Sequence, residues 1–174
     1  MKTFVFDACS LIYLTKIKIK EKLPLLGVII VSKTVRSELI ADTDRFLEAK
    51  TLEKNLNNEI IKVSKLKIKD LFSSENLGKG ERETIEICLN SKGIPVTDDH
   101  QAINYAINLG LKPKTSEVIL LDLLQLNILD YVEFKTYFKE LAEIKSIKPE
   151  IISVFRNKAK TILNKQKILS KGGK

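Results

Sequence analysis

Short unbroken apolar runs alternate along the chain with stretches whose apolar residues recur at three- and four-residue spacing. "TFVF" (3–6) is the first run, and "ACSLIYLTKI" behind it carries Leu11, Ile12 and Leu14 at near-helical spacing. "GVIIV" (27–31) is the second run. It leads into "SKTVRSELIAD", whose Ser and Thr are good helix N-caps. A polar helical region is expected over about 43–56, and "EIIKV" (59–63) reads as a short strand at a sheet edge. "GKGERETIEICLNSKG" (78–93) reads as a helix closed by Gly93 at its C′ position. "IPVT" (94–97) is the next strand, and "HQAINYAINLG" (100–110) a helix closed by Gly110. "SEVILLDLLQLN" (116–127) reads as another helix and "YVEF" (131–134) as a last strand.

Strands that are apolar throughout, rather than at every second residue, are strands covered on both faces. Alternating with helices, they predict a three-layer α/β/α sandwich around a central, mainly parallel sheet. No internal repeat and no Pro- or Ser-rich linker divides the chain, so one domain is expected over 1–134. Residues 135–174 are expected to be a helical extension packed on that domain or trailing from it. It ends in the basic segment "KAKTILNKQKILSKGGK", which is either a solvated end or an arm that contacts phosphates.

Several carboxylates interrupt this pattern at places where packing has little use for them. Asp7 stands where the first strand hands over to its helix, and Asp98 and Asp99 stand at the equivalent point after "IPVT". In doubly wound sheets the carboxyl ends of the strands are where ligands bind. If the first and fourth strands are neighbours, these acids converge. On the helices, Glu38 shares a face with Val35 and Leu39, and Glu81 shares a stripe with Ile85, Cys88 and Leu89. Glu83 and Glu86 fall off that stripe and are expected in solvent. Each acid has a structural explanation too: Asp7 and Asp99 as N-caps, Glu81 as a partner of the helix dipole. Taken together they place Asp7, Glu38, Glu81 and the Asp98/Asp99 pair at one end of one sheet.

Carboxylates gathered so closely cannot all ionise without a counter-charge. Oxygen-only ligands suit Mg²⁺ or Mn²⁺, and the lack of His and Cys clusters argues against zinc. The chemistry that fits is metal-assisted hydrolysis of a phosphodiester. The lone histidine, His100, is either a solvated helix-start residue or a group supporting the acids.

Composition widens this picture in one direction. The chain of 174 residues is 44% hydrophobic, enough for a packed core, and carries a formal net charge of +8. That charge points to polyanionic partners, nucleic acid first, although a Lys-rich solvated surface has the same composition. Aromatic residues are 6% with no Trp, so base-stacking platforms are not expected. The longest apolar stretch, "LLGVIIV" (25–31), is far short of the roughly 20 residues a membrane span needs. The N-terminus does not read as a signal peptide, because Asp7 interrupts a short apolar segment; a cytoplasmic location is expected. Cys9 and Cys88 show no CxxC spacing and are expected to be buried as small apolar side chains.

The ordered motifs resemble those of the PIN-domain family over about residues 3–134, including the toxin ribonucleases of prokaryotic toxin–antitoxin pairs. "FDACSLIYL" is similar to the family's opening D-x-S/N-x-L-I segment, with Asp7 as first acid. "VSKTVRSEL" resembles the segment ending in the second acid, Glu38, and "GKGERETIEIC" the Gly-Glu helix start of one branch, with Glu81 as third. "IPVTDDHQAINYA" resembles the strand-then-Asp motif of the fourth. The T-x-D form favours Asp99, while Asp98 stays open; Thr97 matches the hydroxyl residue that often precedes that acid. Cys9 departs from the pattern, standing where the family often has Ser or Asn, and a thiol is a weaker hydrogen-bond partner for Asp7. The resemblance implies an α/β/α sandwich and a Mg²⁺- or Mn²⁺-dependent ribonuclease acting on RNA. It also implies frequent homodimers and, in the toxin branch, an antitoxin partner.

Two other chemistries use acids at strand ends. Aspartyl-phosphate phosphatases want D-x-D after the first strand, and here the third position is Cys9. Receiver domains want an early acidic pair, and the pair here comes late, at 98–99. A non-catalytic module that grips nucleic-acid backbone is the alternative outside enzymes.

Overall fold

The computed structural model of the protein describes residues 1–41, 47–58, 60–68 and 77–171. Residues 43–46 of the expected polar helical region, Glu59 of the edge-strand candidate and residues 172–174 of the tail lie outside the described residues. In chain order the elements are β1 (Thr3–Phe6), α1 (Ala8–Lys16), a 3-10 turn (Lys20–Leu25), β2 (Val28–Val31), α2 (Lys33–Ile40) and α3 (Leu47–Asn57). They continue with β3 (Lys62–Val63), α4 (Lys79–Ser91), β4 (Ile94–Val96), α5 (His100–Asn108), α6 (Ser116–Gln125), α7 (Tyr131–Ile144) and α8 (Pro149–Lys171).

The four strands form one sheet in the order β3-β2-β1-β4, and every pairing is parallel. Flanked by helices, this is the three-layer α/β/α arrangement the alternating pattern predicts. Phe6 lies opposite Val31 on one side and Val96 on the other, so the chain order reverses across β1. Residues just past the ends of β1 and β4 therefore stand side by side at the switch point. β3 is an edge strand, as expected, though reduced to Lys62–Val63. Val5 packs with Ile87 and Cys88 of α4 on one face of the sheet. Strand alternation turns Phe4 and Phe6, both fully buried, to the other face. Burying each such ring is worth about 1.5–3 kcal/mol.

The chain divides into two compact units, Met1–Ser116 and Glu117–Lys174. The first holds the sheet. The second is helical. Within it, Phe138 of α7 stacks on Phe134 and on Phe155 of α8, with ring centroids 5.5 and 5.6 Å apart. Lys145 Nζ meets Glu117 Oε1 at 2.5 Å, and Gln166 Nε2 donates to the Leu124 carbonyl at 2.9 Å. No described helix is long and apolar enough to cross a membrane.

Three sequence expectations are corrected. "YVEF" is the first turn of α7, not a strand: Asp130 Oδ1 accepts from the Val132 and Glu133 N–H groups, and Glu133 reaches back to the Asp130 N–H. This reciprocal capping box outweighs the β-preference of Tyr, Val and Phe. Gly93 follows α4 at C′ as expected, but the left-handed conformation falls on the C-cap, Lys92 (φ 54°), rather than on the glycine. Cys9 is exposed, because α1 turns Ser10, Leu11 and Leu14 inward and leaves position 9 outside. Cys88 is buried as expected, and burial pushes its thiol far above the ordinary range.

Candidate active site

Asp7 is the residue on which the switch point is built. It follows β1 directly, and its N–H donates to the Val96 carbonyl of β4 at 3.0 Å. Its extended backbone makes it the N-cap of α1, where Oδ1 accepts from the Ser10 N–H (2.8 Å) and the Ser10 hydroxyl (2.6 Å). Ser10 thus supports the Asp7 carboxylate through both its N–H and its hydroxyl. The side chain is 2% exposed, and its second oxygen, Oδ2, is buried with no hydrogen-bond partner. Burial pushes the Asp7 carboxyl above its ordinary range. The bonds from the Ser10 hydroxyl and N–H, and the nearness of the Thr97 hydroxyl, pull it back in part, and the Asp98 charge adds to the rise. An N-cap needs one carboxylate oxygen. A second one, charged and sealed from water without a partner, is expensive for a cap alone.

Glu38 comes from α2, on the turn that buries Val35 and Leu39, and its side chain is exposed at the helix surface. Its pKa is raised, first by partial burial and then by the charges of Glu81, Asp7 and Glu83. Four carboxylates from three elements therefore share one electrostatic neighbourhood. Gly80 makes that approach possible: a Cβ there would lie 3.1 Å from both Glu38 oxygens. Glu81, in the first turn of α4, folds its carboxylate back over Gly78 at the helix N-terminus, where the dipole favours negative charge.

After β4, Asp98 Oδ1 accepts from the Ser116 N–H at 2.9 Å, and its Oδ2 from the Ser116 hydroxyl. Asp99 N-caps α5, with Oδ1 accepting from the Ala102 N–H at 2.8 Å. Thr97 Oγ1 accepts from the Asp99 N–H at 3.2 Å, which shapes the turn that follows β4. His100 is exposed at the start of α5.

Glu83 and Glu86 overturn their expected exposure: they are 8% and 3% exposed. α4 packs against α2, α5, β1 and β4, so it is covered on several sides and no single stripe defines its interior. Glu83 is the residue that sequence reasoning missed. It accepts from the Thr34 N–H (3.2 Å) and the Thr34 hydroxyl (2.7 Å), satisfying a donor of the first turn of α2. Burial pushes its carboxyl up, but the bonds from Thr34 and Ser32 and the Lys79 charge outweigh that and hold it below the ordinary range. The bond docks α4 onto α2 and so sets Gly80 beneath Glu38. Only the Ser32–Thr34 cap was visible in the sequence; nothing local marks Glu83 as its distant acceptor.

Among the described residues, no three acidic, imidazole or thiol groups stand close enough to cage an ion as they are. The donor chemistry nevertheless fits a hard divalent cation: the acids offer oxygen alone, and Asp7 Oδ2 is a buried carboxyl oxygen without a hydrogen-bond partner.

This constellation can be set against known proteins. A family model described as DUF3368, PIN domain, matches residues 3–161. The chain belongs to the PIN-domain family. The match runs through the sheet, all of its acids and most of the second unit. No curated protein matches the chain. PIN domains are generally nucleases and generally use divalent metal ions, so this PIN domain is placed among proteins that bind and cut nucleic acid.

Proposed function

We propose that this PIN domain is a Mg²⁺- or Mn²⁺-dependent endoribonuclease that hydrolyses phosphodiester bonds of RNA. One observation carries the reading: a buried carboxylate oxygen of Asp7, partnerless, at the switch point of a parallel sheet and within electrostatic reach of Glu38 and Asp98. Asp7, Glu38, Glu81 and Asp99 would hold the cation. The ion, when bound, supplies activation of water and relief of the charge that builds on the phosphate.

The protein's own groups do the positioning. Ser10 fixes the Asp7 carboxylate through two bonds to Oδ1, so that only Oδ2 is left for a ligand. Glu83 fixes α4 against α2, and Gly80 leaves room for Glu38. Asp98 engages both oxygens with Ser116, which suits a positioning role, while the Asp99 cap uses one oxygen and leaves the other for metal. The net charge of +8 draws a polyanion toward a site whose own charge is negative.

The biological setting we propose is that of the toxin ribonucleases: cytoplasmic, homodimeric and held in check by an antitoxin protein. It is supported by the motif resemblance to that branch.

The deciding experiment incubates labelled single-stranded RNA with the protein in Mn²⁺, in EDTA, and with Asp7→Asn. Cleavage in Mn²⁺ alone, lost in the variant, is expected. Retention of RNA without cleavage under every condition would instead make this a binding module.

A further inference from the structure

Helix α8 is built unlike the rest of the chain. It runs 23 residues, from Pro149 to Lys171, and carries Arg156, Lys158, Lys160, Lys165, Lys167 and Lys171 against a single acid, Glu150. Five of the chain's eight net positive charges therefore lie on one helix. The neighbouring α7 is balanced, with Glu133, Glu140 and Glu143 against Lys135 and Lys139.

The charges are also sorted. Ala159 is fully buried, and Ile152, Phe155, Ile162, Leu163 and Gln166 are half-buried, which marks the inner face. Arg156, Lys160 and Lys167 are exposed and stand at i, i+4 and i+11, on one flank of that face. Asn157 and Asn164, also exposed, lie beside them. At about 1.5 Å rise per residue, the three cations are spaced roughly 6 and 10 Å along the axis. Lys158 and Lys165, a second exposed pair, line the opposite flank. The segment from Ile151 to Lys171 contains no Asp or Glu. Like charges at i, i+4, as at Arg156 and Lys160, cost a helix stability, a cost that a polyanion lying along the flank would relieve.

We propose that the Arg156–Lys160–Lys167 flank of α8 is a docking surface for the phosphodiester backbone of single-stranded RNA, separate in its residues from the acids that would hold metal. The choice of RNA over other polyanions rests on the nuclease reading. The charge complementarity does not. Asn157 and Asn164 provide the uncharged donors that accompany basic side chains in backbone contacts. With few aromatic residues to stack bases, binding is sequence-independent and steeply salt-dependent. An anionic membrane is the competing polyanion; Ile151, Val154 and Ile168 of α8 are exposed, but Lys158, Thr161 and Lys165 interleave with them, so they form no continuous apolar face for insertion.

The test is fluorescence anisotropy of a labelled oligouridine with the full chain in EDTA, where nothing is cut. Arg156→Gln, Lys160→Gln and Lys167→Gln combined should weaken binding at least about 10-fold at low salt. The salt slope should fall by about 2, at ~0.7 for each phosphate the variant no longer neutralises. A control with Lys50→Gln, Lys54→Gln and Lys62→Gln removes the same charge from exposed sites in the first unit. It should bind within about 2-fold of wild type, a span consistent with long-range charge alone. Melting temperature of the α8 variant should be unchanged or higher, which separates lost binding from lost fold. Equal losses in both variants, or no loss in the α8 variant, would overturn the proposal. So would an α8 variant that releases phosphatidylserine vesicles while still holding RNA. Asp7→Asn should bind RNA like wild type. If Mn²⁺ yields no cleavage yet the α8 variant still loses RNA, the nuclease reading fails and the docking surface stands.

Discussion

The acidic edge of the sheet and the basic flank of α8 are both clusters of like charge, yet they are held in opposite ways. Asp7, Glu38, Glu81 and Glu83 come from positions up to 76 residues apart and are brought into one electrostatic neighbourhood by packing. Asp7 is sealed from water, Gly80 is kept small for Glu38, and Glu83 is locked to Thr34. On α8 the cations come from one continuous segment, face solvent, and are gathered by helical geometry alone. Forced proximity under low dielectric changes protonation and favours a multivalent counter-ion. Exposed repetition on a helix favours a long, flexible polyanion. The difference teaches that the same electrostatic problem selects different ligands according to whether tertiary structure or local sequence creates it.

Asp7→Asn should break the acidic side of the comparison most severely. Cleavage should fall by about 100- to 1,000-fold, the scale set by removing one electrostatic stabiliser of a reaction. In EDTA the same variant should melt higher than wild type, because Asn keeps the acceptor for Ser10 and removes a buried charge. The sign follows from the raised pKa. The protonated carboxyl suits the fold, so wild type gains its full share below the ordinary value of 3.8 and loses it as pH rises through the raised value. The advantage of the variant should therefore be present at neutral pH and vanish on acidification below 3.8. Adding Mn²⁺ should raise the melting temperature of wild type and leave the variant unmoved.

Gly80→Ala probes the approach of the two helices without adding or removing a charge. The new methyl would press on both Glu38 oxygens at 3.1 Å. Cleavage should drop about 10-fold, a loss of the order of 1.4 kcal/mol in the barrier. Global stability should change by no more than about 1 kcal/mol, since Ala is the better helix former.

Glu83→Gln tests the anchor. Losing a charge-assisted bond to the first turn of α2 should cost about 1–2 kcal/mol, or a melting temperature lower by about 2–8 °C. Here the sign is reversed. The folded pKa is depressed, so the carboxylate stabilises the fold above its ordinary value of 4.5, and that contribution disappears as pH falls through the depressed value. The gap between wild type and variant should close in acid. Smallest of all, Lys160→Gln on α8 should raise stability by about 0.2–0.5 kcal/mol by relieving its i, i+4 repulsion with Arg156, measured by urea unfolding.

Reading outward from the residues, the alternation of apolar runs and helical stripes was enough for the parallel sheet, because buried strands need continuous apolar sequence whatever their neighbours. Asp7, Asp98 and Asp99 were visible because an acid beside a buried strand is conspicuous, and the charge of α8 because it is a property of consecutive residues. Glu83 and Glu86 were misplaced because a single apolar stripe presumes one buried face, whereas α4 is enclosed by α2, α5, β1 and β4. "YVEF" was misread because strand preference was weighed without the Asp130–Glu133 cap that flanks it. Strand order, the partnerless oxygen of Asp7 and the bond from Thr34 to Glu83 were decided by tertiary structure alone. They depend on distances between segments that are remote in the chain, and local patterns constrain only what each segment does with its own neighbours.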